Sequence, residues 1–127
     1  MEDKLEGLDF TESYLLGWKK TSNTLLLYLD IFIEEGHEKF EKFEKKSRFG
    51  CYKLGIFEFD KVQSLQGLEV HELQPTWDQK LKEYKDIEEI NFLELSNGYV
   101  IFETDNKKIA FDYSSSNLII LDSSRFF

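Results

Sequence analysis

Residues 90–113 read INFLELSNGYVIFETDNKKIAFDY, and this stretch decides how the chain is built. Asn97-Gly98 stands between two alternating apolar runs. That dipeptide is the strongest short hairpin signal, because a type I′ turn needs positive φ at both central residues. Asp105-Asn106 is a weaker turn of the same kind. The first turn sets Leu95 opposite Val100, Leu93 opposite Phe102 and Glu94 opposite Ile101. The second sets Phe102 opposite Ile109, Val100 opposite Phe111 and Glu103 opposite Lys108. Opposed residues share a face. One face therefore collects Leu93, Leu95, Val100, Phe102, Ile109 and Phe111. The other carries Glu94, Glu103, Lys108 and Asp112 together with Phe92, Tyr99, Ile101 and Ala110. A slip of one residue would scatter the apolar set, so two independent turns fix one register. After Tyr113, a Ser-Ser-Ser-Asn turn leads into Leu118-Ile119-Ile120-Leu121. Its length leaves open which alternate pair points inward.

Upstream, Thr24–Ile33 is the clearest long strand. Leu25, Leu27, Leu29, Ile31 and Ile33 form its core face, and the amphipathic alternate set predicts cover on both sides for part of its length. Ser13–Trp18 is a candidate first strand, followed by a turn at residues 19–23. Cys51–Phe59 is another strand, with Tyr52, Leu54 and Ile56 on one side and Phe57 and Phe59 on the other. Gly55 marks a bulge or a close approach there. Val62–Leu65 and Leu68–Leu73 suggest a short hairpin around Gln66-Gly67. Glu38–Lys46 has a period of three and suits a short helix or an ordered loop. Pro75–Tyr84 reads as a helix capped by Thr76, because Trp77, Leu81 and Tyr84 lie at i, i+4 and i+7. The expected fold is a single α+β domain over residues 1–127, dominated by an antiparallel sheet and carrying one or two short helices.

Composition supports one well-filled core: twelve Phe, six Tyr and two Trp, against one Pro and seven Gly, in 127 residues. No apolar run approaches the ~18 residues of a membrane span. The acidic start has no apolar h-region, and Cys51 stands alone, so a cytoplasmic location without membrane association is expected. Net charge is −9. It concentrates at residues 1–13, where five acids meet one base, and at residues 58–89, where nine acids meet four bases. Such a chain repels phosphate, which argues against nucleic acid and suits a basic protein partner.

Chemistry-bearing patterns are sparse. His37 sits in a loop and His71 in a short strand, and each reads as a lone surface histidine. Cys51 opens an apolar strand and reads as a small buried hydrophobe rather than a nucleophile. No zinc spacing, calcium loop or phosphate-binding glycine motif occurs. The expectation is a chain that is not an enzyme, with no catalytic residue, metal or cofactor. The best candidate surface combines Glu69, Glu72, Asp78, Glu83, Asp86 and Glu88 with Trp77 and Tyr84, since aromatics ringed by charge are common at interface hot spots. The end Arg125-Phe126-Phe127 docks on the sheet, pairs with a second chain, or frays.

The opening Leu-Asp-Phe-Thr-Glu-Ser-Tyr-Leu-Leu-Gly-Trp, from Leu8 to Trp18, precedes Asn23–Asp30. Together with Phe59–Gly67, FDKVQSLQG, they resemble small bacterial toxin-immunity proteins. In those, a hydrophobic–His–Asp–Ser segment leads into two hairpin strands, and a later Phe-x-x-Val-x-x-Leu-x-Gly stretch recurs. Here Asp9-Phe10-Thr11-Glu12-Ser13 stands where the His-Asp pair would be. The resemblance implies an antidote that binds one toxin without catalysis; taken with the acidic surface and the absence of catalytic residues, the expected toxin is a basic one of the nuclease type. Two other readings stand beside it. One is a ligand-binding barrel or sandwich lined by Tyr28, Phe32, Phe92 and Tyr99. The other is a homodimer through Phe92, Tyr99 and Ile101.

Overall fold

The computed structural model describes residues 5–40, 51–122 and 126. Among them are eleven strands: β1 Leu8–Lys20, β2 Thr24–Ile33, β3 Cys51–Asp60, β4 Gln63–Gln66, β5 Glu72–Leu73, β6 Thr76–Asp78, β7 Glu83–Lys85, β8 Glu88–Ser96, β9 Tyr99–Thr104, β10 Lys108–Asp112 and β11 Ser115–Ile120. No helix is present among the described residues, so the expected α+β class gives way to an all-β fold. The expected helix at 75–84 is a hairpin, β6–β7, closed by a four-residue loop. Most of the other expected helix, residues 41–46, lies outside the described residues, and residues 38–39 form a turn.

The main sheet runs β11-β3-β2-β1-β8-β9-β10-β4, with β5 added on β1. Its two ends belong to the same two lengths of chain. β3 continues into β4, and β10 continues into β11. β3 pairs with β11 while β4 pairs with β10. The ladder between these two bent segments closes the sheet into a ring of six long strands, which leaves few free edges. Asp60 sits at the bend. Its backbone oxygen accepts the Ser114 N–H at 3.0 Å, and its carboxylate accepts the hydroxyls of Thr24 and Ser115, each at 3.3 Å. One residue thus ties β2, β3 and β11 at the corner. A second irregularity bends β1 between Asp9 and Tyr14. There the buried Ser13 hydroxyl donates to the Asp9 carbonyl at 2.6 Å and accepts the Phe32 N–H at 2.9 Å, replacing a missing ladder bond.

The meander register is as the turns demand: Leu95↔Val100, Leu93↔Phe102, Glu94↔Ile101, Phe102↔Ile109, Val100↔Phe111 and Glu103↔Lys108. Val100, Phe102, Ile109 and Phe111 of the apolar face belong to the interior cluster, and Leu93 and Leu95 pack against it half-buried. β2 also spans Thr24–Ile33 as expected, and its five core residues are no more than 1 % exposed. Phe57 and Phe59 point inward, where Phe59 meets Phe111 edge-on at 4.9 Å. Leu118 and Ile120 resolve the open alternation by joining the interior cluster, while Ile119 faces out. Gly55 does mark a close approach: a Cβ there would lie 2.4 Å from Ile31 Cδ1. Each large interior side chain contributes about 1.5–3 kcal/mol by leaving water. The expected hairpin at 62–73 is absent, because β4 pairs with β10 and β5 pairs with β1 rather than with each other.

A second, smaller cluster lies outside the ring on the face of β1, β2 and β3. Leu16, Tyr28 and Leu54 are buried there beneath Tyr84 of the hairpin and Phe126. The Phe126 N–H donates to Tyr84 Oη at 2.8 Å, and its ring meets Tyr28 at 5.1 Å. Phe126 therefore docks on the sheet. Arg125 and Phe127 lie outside the described residues.

Candidate partner-binding surface

The segment from Glu69 to Glu89 leaves the ring, returns to it at β5, leaves again as the β6–β7 hairpin and re-enters as β8. Hairpin geometry, not a helical stripe, unites its aromatics. Trp77 and Tyr84 are cross-strand partners, with ring centroids 5.0 Å apart at 75°. Tyr84 faces down onto Phe126 and the sheet, so it anchors the hairpin. Leu81, expected on the same stripe, is instead at the loop tip and 66 % exposed.

Asp78 builds that loop. Its Oδ1 accepts the N–H groups of Lys80 at 2.9 Å and Leu81 at 3.0 Å, and its carbonyl accepts the Lys82 N–H. This is the local capping that Asp offers a turn. The Leu81 N–H chiefly, with the Lys80 N–H and the Lys85 charge, holds the Asp78 carboxyl below the usual range against slight desolvation.

Among the expected contact residues, Glu69, Glu72, Glu83 and Asp86 are exposed, and Trp77, Asp78 and Tyr84 are half-buried. Glu88 is diverted inward. Its carboxylate pairs with Lys107, and its Oε1 accepts the Thr104 hydroxyl at 2.7 Å. Lys107 in turn lies over the Trp18 ring, 5.1 Å from its centroid, and the Trp18 indole N–H donates to the Val70 carbonyl at 2.9 Å. Glu88 thus belongs to a polar clasp joining β1, β8 and the β9–β10 turn. Glu72 approaches Tyr28 from outside: burial first, and the Glu72 charge second, push the Tyr28 phenol up.

The sequence reading passed over the apolar members of this surface. Seven large apolar side chains are exposed among the described residues, and Val70, Leu73, Leu81 and Ile87 are four of them. Val70 and Leu73 were assigned to the expected hairpin at 62–73 and Leu81 to the expected helical stripe, and neither element forms, so their exposure follows from the fold and not from the local pattern. The remaining three are Phe92, Tyr99 and Ile119.

Of the other candidates for chemistry, Cys51 and His37 are taken up in packing and local hydrogen bonding. Cys51 is buried at 2 % exposure. His37 accepts the Lys39 N–H on Nδ1 at 3.0 Å and packs against Gly7. The backbone oxygen of the exposed His71 accepts the Lys20 N–H. Among the described residues, no cluster of three or more His, Cys, Asp or Glu is arranged to hold a metal, and no helix is long and apolar enough to cross a membrane. The aromatics expected to line a ligand pocket, Tyr28, Phe32, Phe92 and Tyr99, all face away from the interior, which Phe57, Phe59, Phe102 and Phe111 fill.

Comparison with known protein families found no match, and neither did comparisons with curated proteins or with solved structures.

Proposed function

We propose that this chain is a non-catalytic binding protein whose 69–89 surface receives a basic protein partner. The observation that carries the reading is the coincidence, in one segment, of four exposed large apolar side chains with the exposed acids Glu69, Glu72, Glu83 and Asp86. Apolar groups supply the contact energy, and exposed carboxylates steer and select a positively charged surface. The hairpin is held to the sheet by Tyr84 and Phe126, so the surface is presented without a large ordering cost. The likeness of Leu8–Trp18 and Phe59–Gly67 to toxin-immunity proteins supports a toxin as the class of partner, which makes the chain its antidote, and the acidic surface suits a basic toxin of the nuclease type.

Affinity capture at low salt tests this. The wild-type chain is compared with Glu69→Lys/Glu72→Lys/Glu83→Lys as bait, with melting temperature as the folding control. The proposal expects a stoichiometric basic protein on the wild type and its loss from the variant. Nothing captured, or equal capture by both baits, contradicts it.

A second reading rests on the outward face of β8–β10. Phe92 is 41 % and Tyr99 is 39 % exposed, with Ile101 between them on that face. A homodimer through this face would cover them. Sedimentation of a monomer at high concentration would remove this reading.

A further inference from the structure

β11 outlasts its neighbour. The β10–β11 length of chain pairs with β9 along one edge until the Asn97-Gly98 turn, where the Tyr113 N–H meets the Gly98 carbonyl at 3.0 Å. Beyond that point β9 has ended, and β11 pairs with β3 alone. The Leu121 N–H bonds to the Leu54 carbonyl. By the alternation of an antiparallel ladder, Ile119 and Asn117 therefore also turn their backbone groups toward β3. The N–H and C=O groups of Ser116, Leu118 and Ile120 turn to the opposite edge, where no described residue pairs with them.

That edge borders a groove of about 810 Å³ whose walls include Leu118, Ile120, Glu6, Glu34, Glu35 and Glu38. All four glutamates are exposed. Lys39 also lines the groove, at 3.9 Å from Asp122. We infer that this groove takes an extended basic segment of a protein partner, which adds to β11 as an antiparallel strand in the place left by the end of β9. The edge offers main-chain bonds to any extended chain. Residues opposite Leu118 and Ile120 share their inward, apolar face, and lysine or arginine side chains reach the glutamates. The same charge opposes a second copy of this acidic chain. The site is separate from the 69–89 surface and stands or falls independently of it.

The test uses a short alternating Lys–Val peptide, with a matched peptide N-methylated at alternate residues so that one edge lacks donors. Amide hydrogen exchange of the whole chain is the readout. In the free protein, Leu118 and Ile120 exchange fast while Ile119 is protected. At roughly ten times its Kd, the peptide slows Leu118 and Ile120 roughly tenfold, and the N-methylated peptide does not. Glu34→Lys/Glu35→Lys loses affinity at low salt with an unchanged melting temperature. Absence of binding, binding that leaves the two amides unprotected, or a dimer of the free chain that already protects them would each overturn the inference.

Discussion

Gly67 passes so close to Lys108 that a Cβ on it would lie 1.9 Å from the Lys108 carbonyl oxygen, and its φ is +96°. The contact sits where β4 ends against β10, in the ladder that closes the ring. Gly67→Ala should therefore cost about 3 kcal/mol, from left-handed backbone strain together with a clash that neither main chain can relieve. Gly36 is the control. Its φ is +102°, yet a Cβ there meets nothing within 4 Å, so Gly36→Ala should cost only about 1 kcal/mol. Urea unfolding of both variants measures the difference. Equal costs would show that the closing ladder is not packed as described.

The outer hairpin depends on Tyr84. Tyr84→Phe removes the acceptor for the Phe126 N–H but keeps the ring contacts with Trp77 and Phe126. A loss of about 1 kcal/mol is expected in thermal or urea unfolding. Tyr84→Ala loses the rings as well and should release the hairpin, so that proteolysis cuts within residues 79–82 before the ring unfolds. A hairpin as resistant to protease as in the wild type would contradict this anchoring.

Asp78 makes that hairpin sensitive to acid. Its folded-state pKa is lowered, so its contribution is present above the unfolded pKa and is lost as pH falls through the folded pKa. Amide exchange at Lys80 and Leu81, corrected for intrinsic rate, should accelerate on acidification below the ordinary carboxylate range. Asp78→Ala should show the fast, pH-independent opening throughout. A wild-type loop with no such pH dependence would remove the carboxylate from its role.

Lys107 and Glu88 are mostly shielded, with side chains 20 % and 12 % exposed. Lys107→Met preserves the stem over Trp18 but strands the Glu88 carboxylate, leaving it the Thr104 hydroxyl. Destabilisation of about 1–3 kcal/mol is expected. Adding Glu88→Gln should restore part of it, giving a coupling of about 1 kcal/mol in a double-mutant cycle. Additive effects would mean that the clasp is not a unit.

The meander and β2 were legible because local signals decide them. Asn97-Gly98 and Asp105-Asn106 fix the turns, and strict alternation then leaves one register for Leu93, Phe102 and Ile109. The hairpin at 76–85 was misread because i, i+7 spacing is ambiguous. It sets Trp77 and Tyr84 on one helical stripe, and it equally makes them cross-strand partners across a four-residue loop. Asp78, a turn former inside the supposed helix, and Trp77 beside the β-branched Thr76 were the signals against a helix. The ring closure was not legible. The β3–β4 length of chain turns at Lys61 and is irregular at Ser64 within β4, with φ of 54° and 57°, and neither residue type announces positive φ. The pairings of β4 with β10 and of β5 with β1 join residues far apart in sequence, where local pattern is silent. On the surface, the acids could be read directly, but Glu88 could not be assigned to Lys107 without the fold that joins β8 to the β9–β10 turn.

The central claim is that exposed acids of the 69–89 surface steer a basic protein onto this chain. Its most direct measure is the association rate of the captured partner with the wild type and with Glu69→Lys/Glu72→Lys/Glu83→Lys across ionic strength. The account predicts a wild-type rate that falls steeply with salt, and a variant that is slower at low salt with a flatter dependence. Identical rates and identical salt slopes would contradict it.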